Sequence, residues 1–312
     1  MTHQDRTMAA ALFLLGQAVV VGYTDNQVYR VSSEAGLWQF HALRSVLAWA
    51  ILLVAAAVWG MRLRPQNLRA VAARSAIHGA ALMIYFGALG FLPVAQVAAG
   101  LFSAPIFVLL INRYAFGLRI TPVQAMAVAV GFCGVVLVLG PAAMEGASLA
   151  ALLPVVAGAL YALGNVATRS WCAGESAATL LGGFFLALGV LGVIGMTALT
   201  LFPQPVPAGG DGWLLRGPVW PTAQVWFWTF VQAAGSLLGV GLMIRGYQLA
   251  EAAKVSVFEY VILPASALWA WLLKGELLGL SAIAGMVLIA MAGVLIALGP
   301  QPKASPLSAG AS

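Results

Sequence analysis

Long hydrophobic runs separated by short polar gaps dominate the sequence. A bilayer core about 30 Å thick takes roughly 20 apolar residues of helix to cross. Ten runs are long enough, near residues 8–25, 38–59, 71–89, 94–112, 122–140, 149–168, 178–201, 222–244, 253–273 and 280–299. None shows the ten-residue alternation that is typical of membrane β-strands. The pattern therefore predicts an all-α membrane protein with ten transmembrane helices.

One part of the pattern occurs twice. The stretch Gly87 to Pro141 aligns without a gap on Gly246 to Pro300, 159 residues later, and Pro105 falls on Pro264. Each copy belongs to a unit of five predicted helices, and because five is odd, the second unit enters the membrane upside down. We therefore predict two inverted-topology repeats and a disordered cytoplasmic tail rich in Pro, Ser, Ala and Gly. The predicted boundaries are 1–145, 146–300 and 301–312.

Composition and charge strengthen this prediction and add an orientation. With 62% hydrophobic and 8% charged residues among 312, the chain has too little polar surface for a soluble globule. If the N-terminus is cytoplasmic, most of the 15 lysines and arginines fall on the cytoplasmic side, with Arg74 and Lys254 counted as loop residues. The positive-inside rule then predicts that both termini are cytoplasmic. Cys133 and Cys172 have no partner spacing, so neither a disulfide nor a metal site is expected.

Glu259 lies well inside the ninth predicted helix, and Arg44 lies inside the second. A charge in the membrane is costly unless it faces a cavity or a partner, so Glu259 is a candidate binding residue. The alternative is that Glu259 caps polar groups at the inner interface. Arg44 is expected to extend to the outer interface, with Asp25 or Glu34 as its counter-ion.

Other polar residues recur at helical spacing. His78 and Tyr85 share one face of the third segment. The sixth and eighth segments carry polar stripes, Gly158, Tyr161, Asn165 and Thr168 in one, and Trp228, Gln232, Gly235, Ser236 and Gly239 in the other. Such stripes serve either close helix packing or the lining of a cavity, and both interpretations stay open. The predicted substrate-binding residues are His78, Tyr85, Tyr161, Asn165, Gln232, Ser236, Glu259 and Tyr260.

Pro105 and Pro264 are predicted to act as a pair of kinks or hinges. Proline removes a backbone donor and clashes with the carbonyl four residues earlier, so each should break its helix within the membrane. Symmetry-related broken helices are typical of a transporter whose binding site lies at the midplane, between the halves. Packing kinks without a ligand remain the alternative.

The stretch Phe40 to Ala48 resembles the R-x-x-x-A start of the second helix in the drug/metabolite transporter superfamily, in its ten-helix EamA-type family. The second half resembles that family more closely, through Tyr247, Ala250 to Ala253, Phe258-Glu259-Tyr260, Pro264, Gly275-Glu276, Gly285 and Gly293. In the first repeat, Phe116-Gly117 stands where the family has Gly-Glu.

The resemblance implies a secondary transporter of a bacterial inner membrane that works by alternating access without a cofactor. Its expected partners are a small-molecule substrate and membrane lipid, with no nucleic acid, and its expected state is a monomer or homodimer. Similarity to bacterial exporters implies export of amino acids, including aromatic ones, or related metabolites. Multidrug and nucleotide-sugar-like transport are alternatives within the superfamily.

Two other functional classes agree less well with the sequence. An intramembrane enzyme is disfavoured because the sequence has no HExxH, no GxSxG, no phosphate loop and no paired carboxylates inside its predicted helices. A channel would be expected to offer a ring of like groups from repeated subunits. We therefore expect a transporter and not an enzyme.

Overall fold

A computed structural model describes residues 6–88, 94–139, 152–208, 212–275 and 279–298. Within these ranges the chain is helical with turns and connecting segments and has no β-strand, which confirms the all-α prediction. The helices are α1 (Thr7–Asp25), α2 (Tyr29–Ser32), α3 (Leu37–Trp59), α4 (Leu68–Ala88), α5 (Val94–Leu101), α6 (Ala104–Tyr114), α7 (Pro122–Leu139), α8 (Leu153–Ser170), α9 (Ala177–Leu201), α10 (Ala223–Leu249), α11 (Ala252–Phe258), α12 (Ile262–Lys274) and α13 (Leu280–Leu298). The predicted boundary between 145 and 146, the ends of the two repeated stretches at Pro141 and Pro300, and the tail 301–312 lie outside the described residues.

Six helical stretches in the described ranges are long and apolar enough to cross a membrane. They are Thr7–Ser32, Leu37–Trp59, Leu68–Ala88, Ala177–Leu201, Ala223–Leu249 and Ala252–Leu273. Shorter apolar helices lie in three more predicted segments, at Ala104–Tyr114, Pro122–Val138 and Leu280–Leu295. These lengths are those of a multi-pass membrane protein.

Local capping explains several helix ends. Thr121 and Gln124 cap the start of α7 reciprocally, because each side chain accepts a hydrogen bond from the backbone N–H of the other, at 3.2 and 3.0 Å. Ser176 begins α9 in a similar way, with its hydroxyl accepting from the N–H of Thr179 at 2.9 Å. At the end of α3, Gly60 adopts a left-handed φ of 63°, which glycine tolerates without a Cβ penalty.

Two helical segments are interrupted near the prolines that were predicted to act as kinks, Pro105 and Pro264. Phe102–Ser103 separates α5 from α6, and Pro105 lies in the first turn of α6, where a missing N–H leaves no helical bond unmade. A short 3-10 turn, Glu259–Val261, separates α11 from α12, with Pro264 just beyond it in α12. Both segments therefore contain a break close to the proline, while the hinge role of each proline stays a prediction.

Small residues allow the helices to pack closely. In the contact of α7 with α13, a Cβ on Gly285 would lie 2.5 Å from the carbonyl oxygen of Gly134. Gly239 of α10 similarly faces Val21 of α1. Further contacts join α3 to α9 and α4 to both α8 and α9. Between these packed helices and the two breaks lies a central cavity.

Candidate functional site

The central cavity has a volume of about 100 Å³. Its lining comes from α1, α3, α4, α8, α9, α10 and both broken segments. The lining residues are Gln17, Val21, Asp25, Arg44, His78, Leu82, Tyr85, Phe86, Leu101, Phe102, Tyr161, Phe184, Ser236, Val240, Met243, Glu259 and Ile262. A mostly apolar and aromatic wall with a few converging polar groups is the usual composition of a small-molecule site.

Glu259 contributes a carboxylate to this cavity from the 3-10 turn between α11 and α12. It is 5% exposed. Asn165 Nδ2 donates a hydrogen bond of 3.1 Å to Glu259 Oε1, and the hydroxyl of Tyr161 lies 3.3 Å from the same oxygen. Both donors come from α8, one turn apart. Because these are neutral donors, the carboxylate is hydrogen-bonded and still able to attract a cationic group.

Aromatic rings form the neighbouring wall. The His78 ring lies against Tyr161 with centroids 4.7 Å apart and against the edge of Phe184 at 5.5 Å. Gly164 makes room for this histidine, because a Cβ there would lie 2.5 Å from His78 Nδ1. Leu82 and Tyr85 continue the same face of α4 along the cavity, so the side chains predicted to share a helix face do line one surface.

Arg44 does not extend to the interface, and that expectation was wrong. Its side chain is 3% exposed and lines the cavity, packed over the rings of Phe40 and Phe86 at 5.0 and 5.7 Å. Asp25 lines the same cavity and interacts electrostatically with Arg44. Glu34 is engaged elsewhere, since its Oε2 accepts a 2.6 Å hydrogen bond from the hydroxyl of Thr222. Of the two candidate counter-ions, Asp25 is the one that shares the cavity with Arg44.

The predicted site residues divide into two groups. Five line the central cavity, namely His78, Tyr85, Tyr161, Ser236 and Glu259. The other three do not, and each makes a different contact. Asn165 supports Glu259, Gln232 donates to the carbonyl oxygen of Thr24 in α1, and Tyr260 is fully buried with its ring against Gly131 of α7. A role in substrate binding stays a prediction for all eight.

Residues 8–140 of the chain match the EamA-like transporter family. This matched part, which is less than half of the chain, is similar to that family. The family resemblance found in the sequence is thereby confirmed.

Several members and relatives of known name are similar in sequence. A riboflavin transporter of Brucella anthropi is 24% identical over 199 residues, which cover 64% of this chain and 66% of the relative. A riboflavin transporter of Rhizobium johnstonii is 30% identical over 188 residues, which cover 60% of this chain and 56% of the relative. The pseudopaline exporter of Pseudomonas aeruginosa is 24% identical over 249 residues, which cover 80% of this chain and 82% of the relative. The matches to the two riboflavin transporters thus span less than two thirds of their lengths.

A solved crystal structure is similar over 93% of this chain and 98% of its own, with a TM-score of 0.74 and 19% identity. At that identity the likeness shows a shared fold alone. The names of the family and of the relatives are those of transporters and not of enzymes, which confirms the predicted class.

Sequence reasoning missed the burial of two cations. Arg74 and Lys254 were counted as loop residues, but the structure places them in α4 and α11, at 0% and 4% exposure. Arg74 Nε donates a 3.0 Å hydrogen bond to the hydroxyl of Thr168. One signal for Arg74 was available: it precedes His78 by four residues, so both lie on one helix face.

The two cysteines are unbonded, Cys133 exposed and Cys172 buried. Cys172 follows α8, outside the membrane-spanning helices. Burial raises the pKa of its thiol, which disfavours the reactive thiolate form. Within the described ranges, no group of three or more His, Cys, Asp or Glu side chains is arranged to hold a metal ion.

Proposed function

We propose that this chain is a secondary transporter that exports amino acids or closely related metabolites by alternating access around the central cavity. The observation that carries the proposal is that side chains of opposite charge, Glu259 and Arg44, line one cavity. An amino acid presents an ammonium and a carboxylate, which these two groups can bind. The rings of His78, Tyr161 and Phe184 offer apolar contact for an aromatic side chain.

The proposal includes ten transmembrane helices in two inverted repeats of five. Two features support it. The break at Phe102–Ser103, moved by the 159-residue offset of the sequence repeat, falls within about two residues of the turn at Glu259–Val261. The packing also has matching pairs, because α1 contacts α10 and α12 as α8 contacts α4 and α6. We further propose that both termini are cytoplasmic in a bacterial inner membrane, from the distribution of basic residues.

The alternating-access step in this proposal uses the two breaks. Each break lines the cavity, through Phe102 in one segment and Glu259 in the other. Rocking of one five-helix half against the other would change access to these residues without dismantling either half. The hydrogen bonds from α8 hold the carboxylate of Glu259 in position for a cationic group.

Riboflavin is a second candidate substrate. Two relatives are riboflavin transporters, and stacked aromatic side chains in the cavity suit a flat ring system. The absence of a full charge on such a ring system would leave Glu259 and Arg44 without a role in recognising it. We therefore place amino acids first and include riboflavin in the test.

Counterflow in liposomes tests the proposal. The purified full chain is reconstituted with an excess of one unlabelled solute inside, and uptake of the radiolabelled solute is compared among leucine, phenylalanine, tryptophan, glutamate and riboflavin. We expect accumulation of at least one amino acid above protein-free liposomes. Accumulation of riboflavin alone would identify riboflavin as the substrate class in place of amino acids. If no amino acid accumulated, the amino acid proposal would be refuted.

A further inference from the structure

A second cavity, of about 800 Å³, lies where α1 begins and where α8 and α10 end. We name it the basic cleft, because its charged lining consists of four arginines and one glutamate. These are Arg6, Arg62, Arg169, Arg245 and Glu175. Thr168 and Cys172 form part of its wall. The positive charge in this concave surface exceeds what its one carboxylate can neutralise.

The carboxylate of the basic cleft is already engaged. Glu175 Oε1 accepts hydrogen bonds of 2.7 Å from the backbone N–H groups of both Gln66 and Asn67, just before α4 begins. That position is the positive end of the helix dipole, which favours a carboxylate. Glu175 therefore stabilises the start of α4, and two of the nearby arginines donate to neutral acceptors. Arg62 donates to a backbone carbonyl, and Arg245 donates to the side chain of Gln248 at 3.0 Å.

A fifth arginine lies behind the wall of the cleft. Arg74 is fully buried and donates to the hydroxyl of Thr168 and to the carbonyl of Leu180, at 3.0 and 3.4 Å. Its Nη2 has no hydrogen-bond partner among the described residues. A buried guanidinium bonded only to neutral groups is costly, because it has lost its water and has no compensating charge. One helical turn further along α4, His78 lines the central cavity.

Basic side chains therefore extend from the basic cleft inward. The cleft arginines come first, Arg74 lies behind Thr168 in the cleft wall, and His78 follows in the wall of the central cavity. We propose that the basic cleft binds the anionic group of a small solute, a carboxylate or a phosphate, and that Arg74 binds this group as the solute passes toward the central cavity. Guanidinium groups suit both anions because their planar donors pair with two oxygens at once. The passage step rests on the proposed transport function, whereas binding in the cleft does not.

Phosphate also occurs in lipid headgroups, and clustered basic residues at a membrane surface attract anionic lipids. A solute is favoured as the source here because the cleft is concave and its cationic lining continues inward to a buried arginine. A headgroup confined to the membrane surface would not reach Arg74. The test below separates the two sources.

Binding is measured on the full chain in uncharged maltoside detergent, by the thermal unfolding midpoint at constant ionic strength. The probes are succinate and inorganic phosphate, with uncharged dimethyl succinate as the reference compound. We expect succinate or phosphate to raise the midpoint in a saturable manner and dimethyl succinate to leave it unchanged. No response to either anion would overturn the proposal.

Single-residue variants test whether the rise in the unfolding midpoint comes from anion binding in the basic cleft. Arg245→Gln and Arg62→Gln should each raise the half-saturating concentration about tenfold, the effect of losing one charge-assisted contact. Arg113→Gln is the matched control, since Arg113 is an exposed arginine at the end of α6, outside the cleft, and its removal should leave binding unchanged. An equal loss in all three variants would indicate general charge screening and refute the site.

Arg74 is tested with Arg74→Lys, which keeps the charge but loses the planar donor group, beside Arg74→Gln. We expect both to weaken succinate binding, the lysine variant less, while the unfolding midpoint without succinate stays equal or rises in Arg74→Gln because a buried charge is removed. A lower ligand-free midpoint with unchanged succinate binding would assign Arg74 a structural role. The lysine variant keeps the test decisive if the glutamine variant does not fold.

The lipid source is tested in nanodiscs of phosphatidylcholine with and without phosphatidylglycerol. Stabilisation by phosphatidylglycerol that is lost in Arg245→Gln, combined with no response to succinate, would assign the cleft to a headgroup and overturn the proposal. Neither assay contains a transport step. Failed amino acid counterflow would thus leave cleft binding intact, and absent cleft binding would leave counterflow intact.

Discussion

Asn165 Nδ2 donates a hydrogen bond of 3.1 Å to Glu259 Oε1 and so joins α8 to the turn that interrupts the segment of α11 and α12. Asn165 is fully buried, and Glu259 is nearly so. Their contact orients a carboxylate toward the central cavity from a stretch of chain that is not regular α-helix. The position of the Glu259 carboxylate therefore depends on side chains of another helix, Asn165 and Tyr161.

Replacing Glu259 by Gln should reduce amino acid counterflow about tenfold or more, because an ionic hydrogen bond to an ammonium contributes about 1.5–3 kcal/mol. The amide oxygen can still accept the bond from Asn165, and a buried charge is removed. The thermal unfolding midpoint should therefore hold or rise. Glu34→Gln, the same change at a carboxylate outside the cavity, is the control and should leave counterflow intact. Equal counterflow in both variants would remove Glu259 from the proposed site.

Removing the amide of Asn165 should act through Glu259. Asn165→Ala deletes a buried donor to the carboxylate, and leaving a buried charged acceptor short of a partner costs about 1–3 kcal/mol. In the Glu259→Gln background, the same change should cost less, because the acceptor is neutral. Thermal or denaturant unfolding of the two single variants and the double variant measures this coupling. Strictly additive effects would show that the two side chains do not act as a pair.

Asp25→Asn should lower the thermal unfolding midpoint, since Arg44 is buried and would lose the carboxylate that faces it in the cavity. The double variant Asp25→Asn, Arg44→Gln removes both charges and should recover part of that loss. Tryptophan fluorescence measures the thermal unfolding midpoints of the parent, both single variants and the double variant. A double variant as unstable as the sum of the single changes would argue against an electrostatic pair.

The contact between α7 and α13 should be sensitive to a single methyl group. In Gly285→Ala, the new Cβ would lie 2.5 Å from the carbonyl oxygen of Gly134, so the helices must separate at a cost of about 1–3 kcal/mol. Gly293→Ala on the same helix is the matched control, because its Cβ would meet the Phe258 ring at an ordinary 3.5 Å. Replacing a helical glycine by alanine there should stabilise by up to about 1 kcal/mol. Thermal unfolding midpoints in detergent should therefore fall in Gly285→Ala and hold or rise in Gly293→Ala.

The helical segments and the breaks within two of them could be predicted from the sequence because both are local properties. Lengths of apolar runs select helices that can cross a membrane, and a proline cannot donate the backbone hydrogen bond that a continuous helix would need at its position. Pro105 and Pro264 thus indicated the two interrupted segments without any knowledge of neighbouring helices. The repeat offset could likewise be read by aligning the chain with itself.

The direction of each polar side chain could not be predicted in the same way. Gln232 and Ser236 are one turn apart on α10 and belong to one predicted stripe. The structure directs Ser236 into the central cavity, whereas Gln232 donates to a carbonyl of α1. Lipid and protein interior are both apolar, so the hydrophobic pattern of a membrane helix does not report which face is turned inward.

By itself, the sequence determined an all-α membrane protein that resembles a transporter family, with helix positions set by apolar length and breaks set near proline. Only the tertiary structure decided that Arg44 and Arg74 are buried. It also decided that Asn165 supports Glu259 and that four arginines distant in sequence share one cleft. The reason is physical: such groupings depend on how helices far apart in the chain pack, and a pattern along one helix does not contain that information.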